Sequence, residues 1–240
     1  MHVETLSYQA DGLAMCSEFF VEETKTGKRP AVLVFPEAFG LGEHALDIAK
    51  RLAELGFATL ACDLHGEASL VTDFPKLMGL MGPLREDAGA IRARARGALD
   101  ALLTRPEVDA GKVVAIGYCF GGSMALELAR DGADLAGVVG IHSGLTTPDE
   151  NGSAKVTAKI LILIGSEDSQ VDATARAAFE DEMRKAKTVE WRMNIYGGVV
   201  HSFTNPAADS FGQLDVFRYD ARADARAWKE MTEFFDEVLG

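Results

Sequence analysis

Cysteine is scarce in this chain: three in 240 residues, at positions 16, 62 and 119, with no regular spacing. An odd, scattered set does not build a disulfide framework and fits a reducing compartment, so the cytoplasm is the expected location. Basic residues are also in deficit, with 24 Lys and Arg against 37 Asp and Glu and a formal charge of −13. That balance opposes the counterion release that drives binding to nucleic acid, and it opposes docking on anionic lipid. Long apolar runs are missing too, since stretches such as "KILILIG" (159–165) are far too short to span a bilayer. The opening "MHVETLSYQA" has neither the basic start nor the apolar core of an export leader. No repeat, low-complexity tract or Pro/Ser-rich linker divides the chain, so one domain over residues 1–240 is expected. Neither nucleic acid nor membrane is expected as a partner. Composition leaves monomer and homodimer equally open.

What is present is a large apolar fraction, 48%, arranged in short blocks. Two strand-like stretches, 3–9 and 13–23, flank Ala10-Asp11-Gly12, a hairpin turn signal. Further strands are predicted at 31–35, 57–63, 112–117, 136–143, 158–165 and 188–196. Helices are predicted over 43–56, where Ile48, Leu52 and Leu55 share a face and Gly56 is the stop, and over 86–104, 120–131, 172–187 and 223–238. Residues 64–84 read as loop with a short helix. Apolar strands alternating with helices specify an α/β fold, a mostly parallel sheet covered on both faces, with the leading hairpin as an antiparallel edge. The link between the strands at 136–143 and 158–165 leaves no room for a large lid.

The chemistry concentrates at "GYCFGG" (117–122), where Cys119 sits between an apolar strand and an amphipathic helix. A nucleophile on such a turn needs strained backbone angles and neighbours without side chains, which Gly117, Gly121 and Gly122 supply. The helix N-terminus favours an anion, lowering a thiol's pKa and offering N–H groups to a developing oxyanion. The competing reading is a buried apolar cysteine that happens to have glycine neighbours. A thiol nucleophile needs a base, and the base an orienting carboxylate. Asp168 follows the strand "KILILIG", with Glu167 and Asp172 as rivals close by. His201 follows the last strand on the glycine-bearing loop "YGGVVHSF" and is the one histidine after Asp168. His65 and His142 follow strands and are candidates for lining the pocket. "CDLHGE" (62–67) has no recognised zinc spacing, so no metal is expected there, and "PEAFGLG" lacks the ending of a phosphate loop.

The segments "GYCFGG", "GSEDSQV", "HSFTNP" and "FPEAFGL" resemble the dienelactone hydrolases, a cysteine-using branch of the α/β-hydrolase fold, over essentially the whole chain. The resemblance implies a Cys119–His201–Asp168 triad, an oxyanion hole formed by the backbone N–H groups of Phe120 and Ala38, and Phe39 beside the pocket. It also implies that Glu37 contacts the resting thiol, and that no cofactor is used. The arginines that the family places after the strand at 57–63 and four residues past the histidine have no counterpart in "DLHGEAS" or at Asn205. The implied substrate class is therefore an activated ester or lactone, not dienelactone in particular. A thioesterase or acyltransferase with the same triad, or a binding or redox-sensing protein on the same fold, are the alternatives.

Overall fold

The structure, a computed structural model, describes residues 1–24, 26–149, 152–186 and 189–240. Strands β1 (His2–Ala10) and β2 (Leu13–Val21) form the hairpin, and β2 runs antiparallel to β4 (Ala58–Ala61). From there the sheet is parallel through β3 (Arg29–Phe35), β5 (Val108–Tyr118), β6 (Gly137–Ile141), β7 (Lys159–Gly165) and β8 (Trp191–Tyr196). The order across the eight-stranded sheet is β1-β2-β4-β3-β5-β6-β7-β8. The chain moves outward from β3 to β4, then returns to pair β5 on the other side of β3. The crevice at the C-terminal ends of β3 and β5 is thus a topological switch point, where open α/β sheets bind ligands.

The central strands are apolar at nearly every position because both faces are covered. Ala31, Leu33 and Phe35 face one apolar layer, packed with α2 (Phe74–Glu86), α3 (Ala88–Leu103), α4 (Phe120–Arg130) and α5 (Ala173–Ala186). Val32 and Val34 face the other, packed with α1 (Glu43–Leu55) and α6 (Ala221–Leu239).

Several boundaries differ from expectation. The stretch 64–84 carries the 13-residue α2, which runs through Gly79, Gly82 and Pro83. The helix predicted over 86–104 is divided at Asp87, which ends α2 and accepts the Ala90 N–H as N-cap of α3. Leu55 is exposed, not buried: the inward stripe of α1 is Ala45, Ile48, Ala49, Leu52 and Ala53, centred toward the alanines, which leaves Leu55 at its margin. The C-terminal half of the chain shows smaller shifts. Strand β5 begins earlier than predicted, at Val108. Strand β8 begins at Trp191, and the predicted ends at 187 and 188 lie outside the described residues.

Candidate active site

Cys119 joins β5 to α4 with φ 54, a left-handed backbone that costs a non-glycine residue about 1–3 kcal/mol. The glycines around it are there because main chains touch. A Cβ on Gly117 would lie 2.0 Å from the Gly121 carbonyl, and one on Gly121 would lie 2.2 Å from the carbonyl oxygen of Phe35. Neither obstacle can swing aside as a side chain would. Gly121→Ala is therefore expected to lose about 3 kcal/mol or more of stability, read as a lower urea midpoint; an unchanged midpoint would show that strand and helix can part there.

His201 is buried on the loop after β8, and its Nδ1–H donates to Asp168 Oδ2 at 2.8 Å. Asp168 also accepts the Gln170 N–H at 2.9 Å, which fixes the carboxylate at the end of β7. Burial alone would lower the His201 pKa, but the charge of the Cys119 sulfur and the Asp168 hydrogen bond outweigh it and push the value up to about 10. His201 Nε2 is buried with no hydrogen-bond partner among the described residues. The atomic positions define the resting state, and catalytic hydrogen bonds are often loose before substrate arrives.

The Glu37–Gly40 turn follows the end of β3, whose Phe35 and Pro36 carbonyls lie against Gly121, and is closed by a Gly40 N–H to Glu37 carbonyl bond of 3.0 Å. The N–H groups of Ala38 and Phe120 have no acceptor among the described residues. His65 does not line the pocket but braces this turn: its Nε2–H donates to the Ala38 carbonyl at 2.8 Å. Burial lowers the His65 pKa, which keeps that ring neutral. Asp63 spends its carboxylate on the N–H groups of Cys16, His65, Gly66 and Ala68, so "CDLHGE" is a hydrogen-bonded turn.

Glu37 is turned away from the sulfur's hydrogen-bonding reach. Its Oε1 accepts His44 Nδ1–H at 2.6 Å and Asn205 Nδ2–H at 3.0 Å. Burial would raise its carboxyl pKa, but the His44 hydrogen bond and charge bring it below the ordinary range. Asn205 and His44 thus brace the glutamate. His44 escaped the sequence reading, since a histidine in the first turn of a helix carries no signal by itself. Phe39 borders the neighbouring cavity with Glu37 and His44, its ring 5.5 Å from Phe211. His142 is a correction: it is fully buried beneath the nucleophile turn, held by the Cys119 N–H at 3.2 Å and by Thr204 Oγ1 at 2.9 Å.

Cys119 and His201 open onto one cavity of about 340 Å³, with Phe120, Ser123, Thr146, Gln170 and Arg85 on its walls. Glu127 also reaches it but is neutralised by Arg92 at 2.9 Å and Arg130 at 3.0 Å. Arg85, in the last turn of α2, makes no ion pair among the described residues and is exposed. Among the described residues, Arg85 is thus a cavity cation without a carboxylate partner. Sequence reading missed it because α2 itself was not legible.

A parallel sheet with a helix-head residue strained at its switch point defines an α/β-hydrolase. The dienelactone hydrolase family's profile matches residues 18–239. A solved structure named m3DLH is 43% identical with a TM-score of 0.95, covering 100% of this chain and 99% of that one. A dienelactone hydrolase-like promiscuous phosphotriesterase, P91, from metagenomic libraries is 42% identical with the same TM-score and the same coverage, 100% and 99%. A Bradyrhizobium protein named as a probable 2-oxo-3-(5-oxofuran-2-ylidene)propanoate lactonase is 27% identical over 196 residues, 78% of each chain. This chain belongs to the dienelactone hydrolase family and is a hydrolase. No helix among the described residues is long and apolar enough to cross a membrane.

Proposed function

We propose that the protein hydrolyses activated carboxylic esters and lactones through Cys119. The observation that carries this reading is the convergence on one cavity of a strained helix-head thiol and a buried imidazole whose far nitrogen is bonded to a carboxylate. The Cys119 thiolate attacks the acyl carbon, and the carbonyl oxygen takes the electron pair and is received by the N–H groups of Ala38 and Phe120. Collapse breaks the C–O bond and expels the enolate or alkoxide, which takes a proton from the His201 imidazolium. Water then gives its proton to His201 as it attacks the thioester, and the sulfur leaves as thiolate. Asp168 orients His201 throughout. Glu37 stays ionised beside the crevice and supports the turn that carries Ala38. Every bond in the cycle is made by the chain, the ester and water, so no cofactor is required. The three free cysteines fit a reducing cytoplasm.

The test is a panel of lactones, enol esters, simple alkyl esters, thioesters and an aryl phosphotriester, with mass spectrometry of the Cys119 peptide under slow turnover. An acyl mass on that peptide which decays as acid is released supports the reading. Turnover without any adduct, even under rapid quench, sinks it. The phosphotriester is included because of the likeness to P91, which favours attack of the same thiolate at phosphorus.

Arg85 gives the substrate class a sign. In a cavity where Glu127 is already paired, an unpaired guanidinium selects an acyl or leaving group that carries a carboxylate. Arg85→Gln is expected to raise KM for carboxylate-bearing lactones about five- to tenfold and to leave neutral esters unchanged. Equal effects on both would remove the guanidinium from substrate recognition.

A further inference from the structure

His142 lies outside the cavity, yet it touches both halves of the machinery. The Cys119 N–H points at two acceptors, the Ile141 carbonyl at 3.0 Å and His142 Nδ1 at 3.2 Å. A backbone N–H can only donate, so Nδ1 must be the unprotonated nitrogen and the ring proton sits on Nε2. That Nε2–H faces Thr204 Oγ1 at 2.9 Å, three residues beyond His201 on the same loop. The His142 and His201 rings meet edge to face, with centroids 5.0 Å apart. One imidazole therefore spans from the nucleophile's own amide to the loop that carries the base.

Two further observations separate this from ordinary core packing. His142 has φ 39, a conformation that glycine or asparagine adopts with less strain than histidine. A residue kept only to fill space would not need it. The ring is also fully buried, and burial together with the charges of His201 and His44 holds its pKa well below the ordinary value. A neutral ring is the state compatible with a protonated His201 in edge contact, since two cations at that separation would repel.

We propose that His142 is a positioning residue: a neutral imidazole strut that ties the Cys119 amide to the His201 loop and sets the sulfur-to-Nε2 register. This rests on the thiol mechanism proposed above. Asparagine can reproduce the Nδ1 acceptor and tolerates the backbone, glutamine can reproduce the Nε2 donor, and leucine fills the space with neither.

The test compares His142→Leu, His142→Asn and Thr204→Val for kcat, KM and the pH dependence of Cys119 alkylation by iodoacetamide. His142→Leu is expected to lower kcat about 10- to 100-fold at unchanged KM and to slow Cys119 alkylation at neutral pH. His142→Asn is expected to recover most of both, and Thr204→Val to show a smaller shift in the same direction. Parental kcat and alkylation in His142→Leu overturn the proposal, as does a loss of kcat with the alkylation profile unmoved. If the leucine variant does not fold, parental kcat and parental alkylation in Thr204→Val overturn it. Cys119→Ala serves as the control: turnover surviving there defeats the thiol mechanism itself, whereas its loss beside a fully active His142→Leu defeats the strut alone.

Discussion

Cys119→Ala is expected to lose lactone and activated-ester turnover by about 10⁴-fold or more. Its melting temperature should stay close to the parent's, because the removed sulfur is partly exposed and packs at the edge of the core. Cys119→Ser is the more informative partner. A tetrahedral adduct formed by a thiolate can expel either the sulfur or the alcohol oxygen. Thiolates leave easily, so an ordinary alkoxide loses that competition and the attack reverses, whereas a stabilised enolate or aryl oxide wins it. Serine removes the bias, because the two competing groups are then both oxygens. The serine variant should therefore lose far more on enol-lactones than on simple alkyl esters, compressing the ratio of their kcat/KM values. Equal losses on both classes would show that the thiol does not set substrate scope.

A second large effect is expected at Asp168. Asp168→Asn should lower kcat/KM by about 10³- to 10⁴-fold, although the side chain keeps its size. The carboxylate holds the proton on His201 Nδ1 and leaves Nε2 facing the sulfur; an amide NH₂ in its place would favour the opposite tautomer. The charge effect has a definite direction. With its pKa at about 10, His201 keeps its proton through neutral pH beside the thiol. Without the carboxylate that pKa falls, although the charge of the sulfur still supports it, so less of the imidazolium persists as pH rises. The sulfur then has a less cationic neighbour at neutral pH. Iodoacetamide alkylation at neutral pH, compared between parent and variant, reads this directly. An unaltered rate would mean that Asp168 only holds the loop.

The pieces legible in the sequence share one property: each is a local pattern with a local cause. The apolar run 112–117, ending in glycine and followed by Tyr118, Cys119, Phe120 and two glycines, suggested a tight strand-to-helix turn, and the β5–α4 junction is that turn. Asp168 and His201 were readable because strand ends point to one edge of a parallel sheet. The failures come from tertiary causes. Helix α2 holds Gly79, Gly82 and Pro83, residues that argue against a helix on propensity, yet burial of Leu77, Met81 and Leu84 against the core outweighs them. With α2 unread, Arg85 could not be placed on the cavity. His142 follows a strand just as His201 does, but the Cys119 amide and Thr204 hold its ring beneath the nucleophile turn and off the cavity. Glu37 was expected at the sulfur; its position depends on His44, a helix residue whose meeting with the β3 loop no spacing rule foretells.

The contact of Gly121 with the carbonyls of Phe35 and Pro36 has a consequence for evolvability. In the proposed mechanism two amides flank the reacting oxygen, one from the β3 loop and one from the head of α4, and their spacing is gauged where main chain rests on main chain. Side chains elsewhere in the cavity can then drift, and with them the range of compounds accepted, while the calliper that grips the oxygen keeps its opening. A scaffold of this kind can change its diet without relearning how to bite.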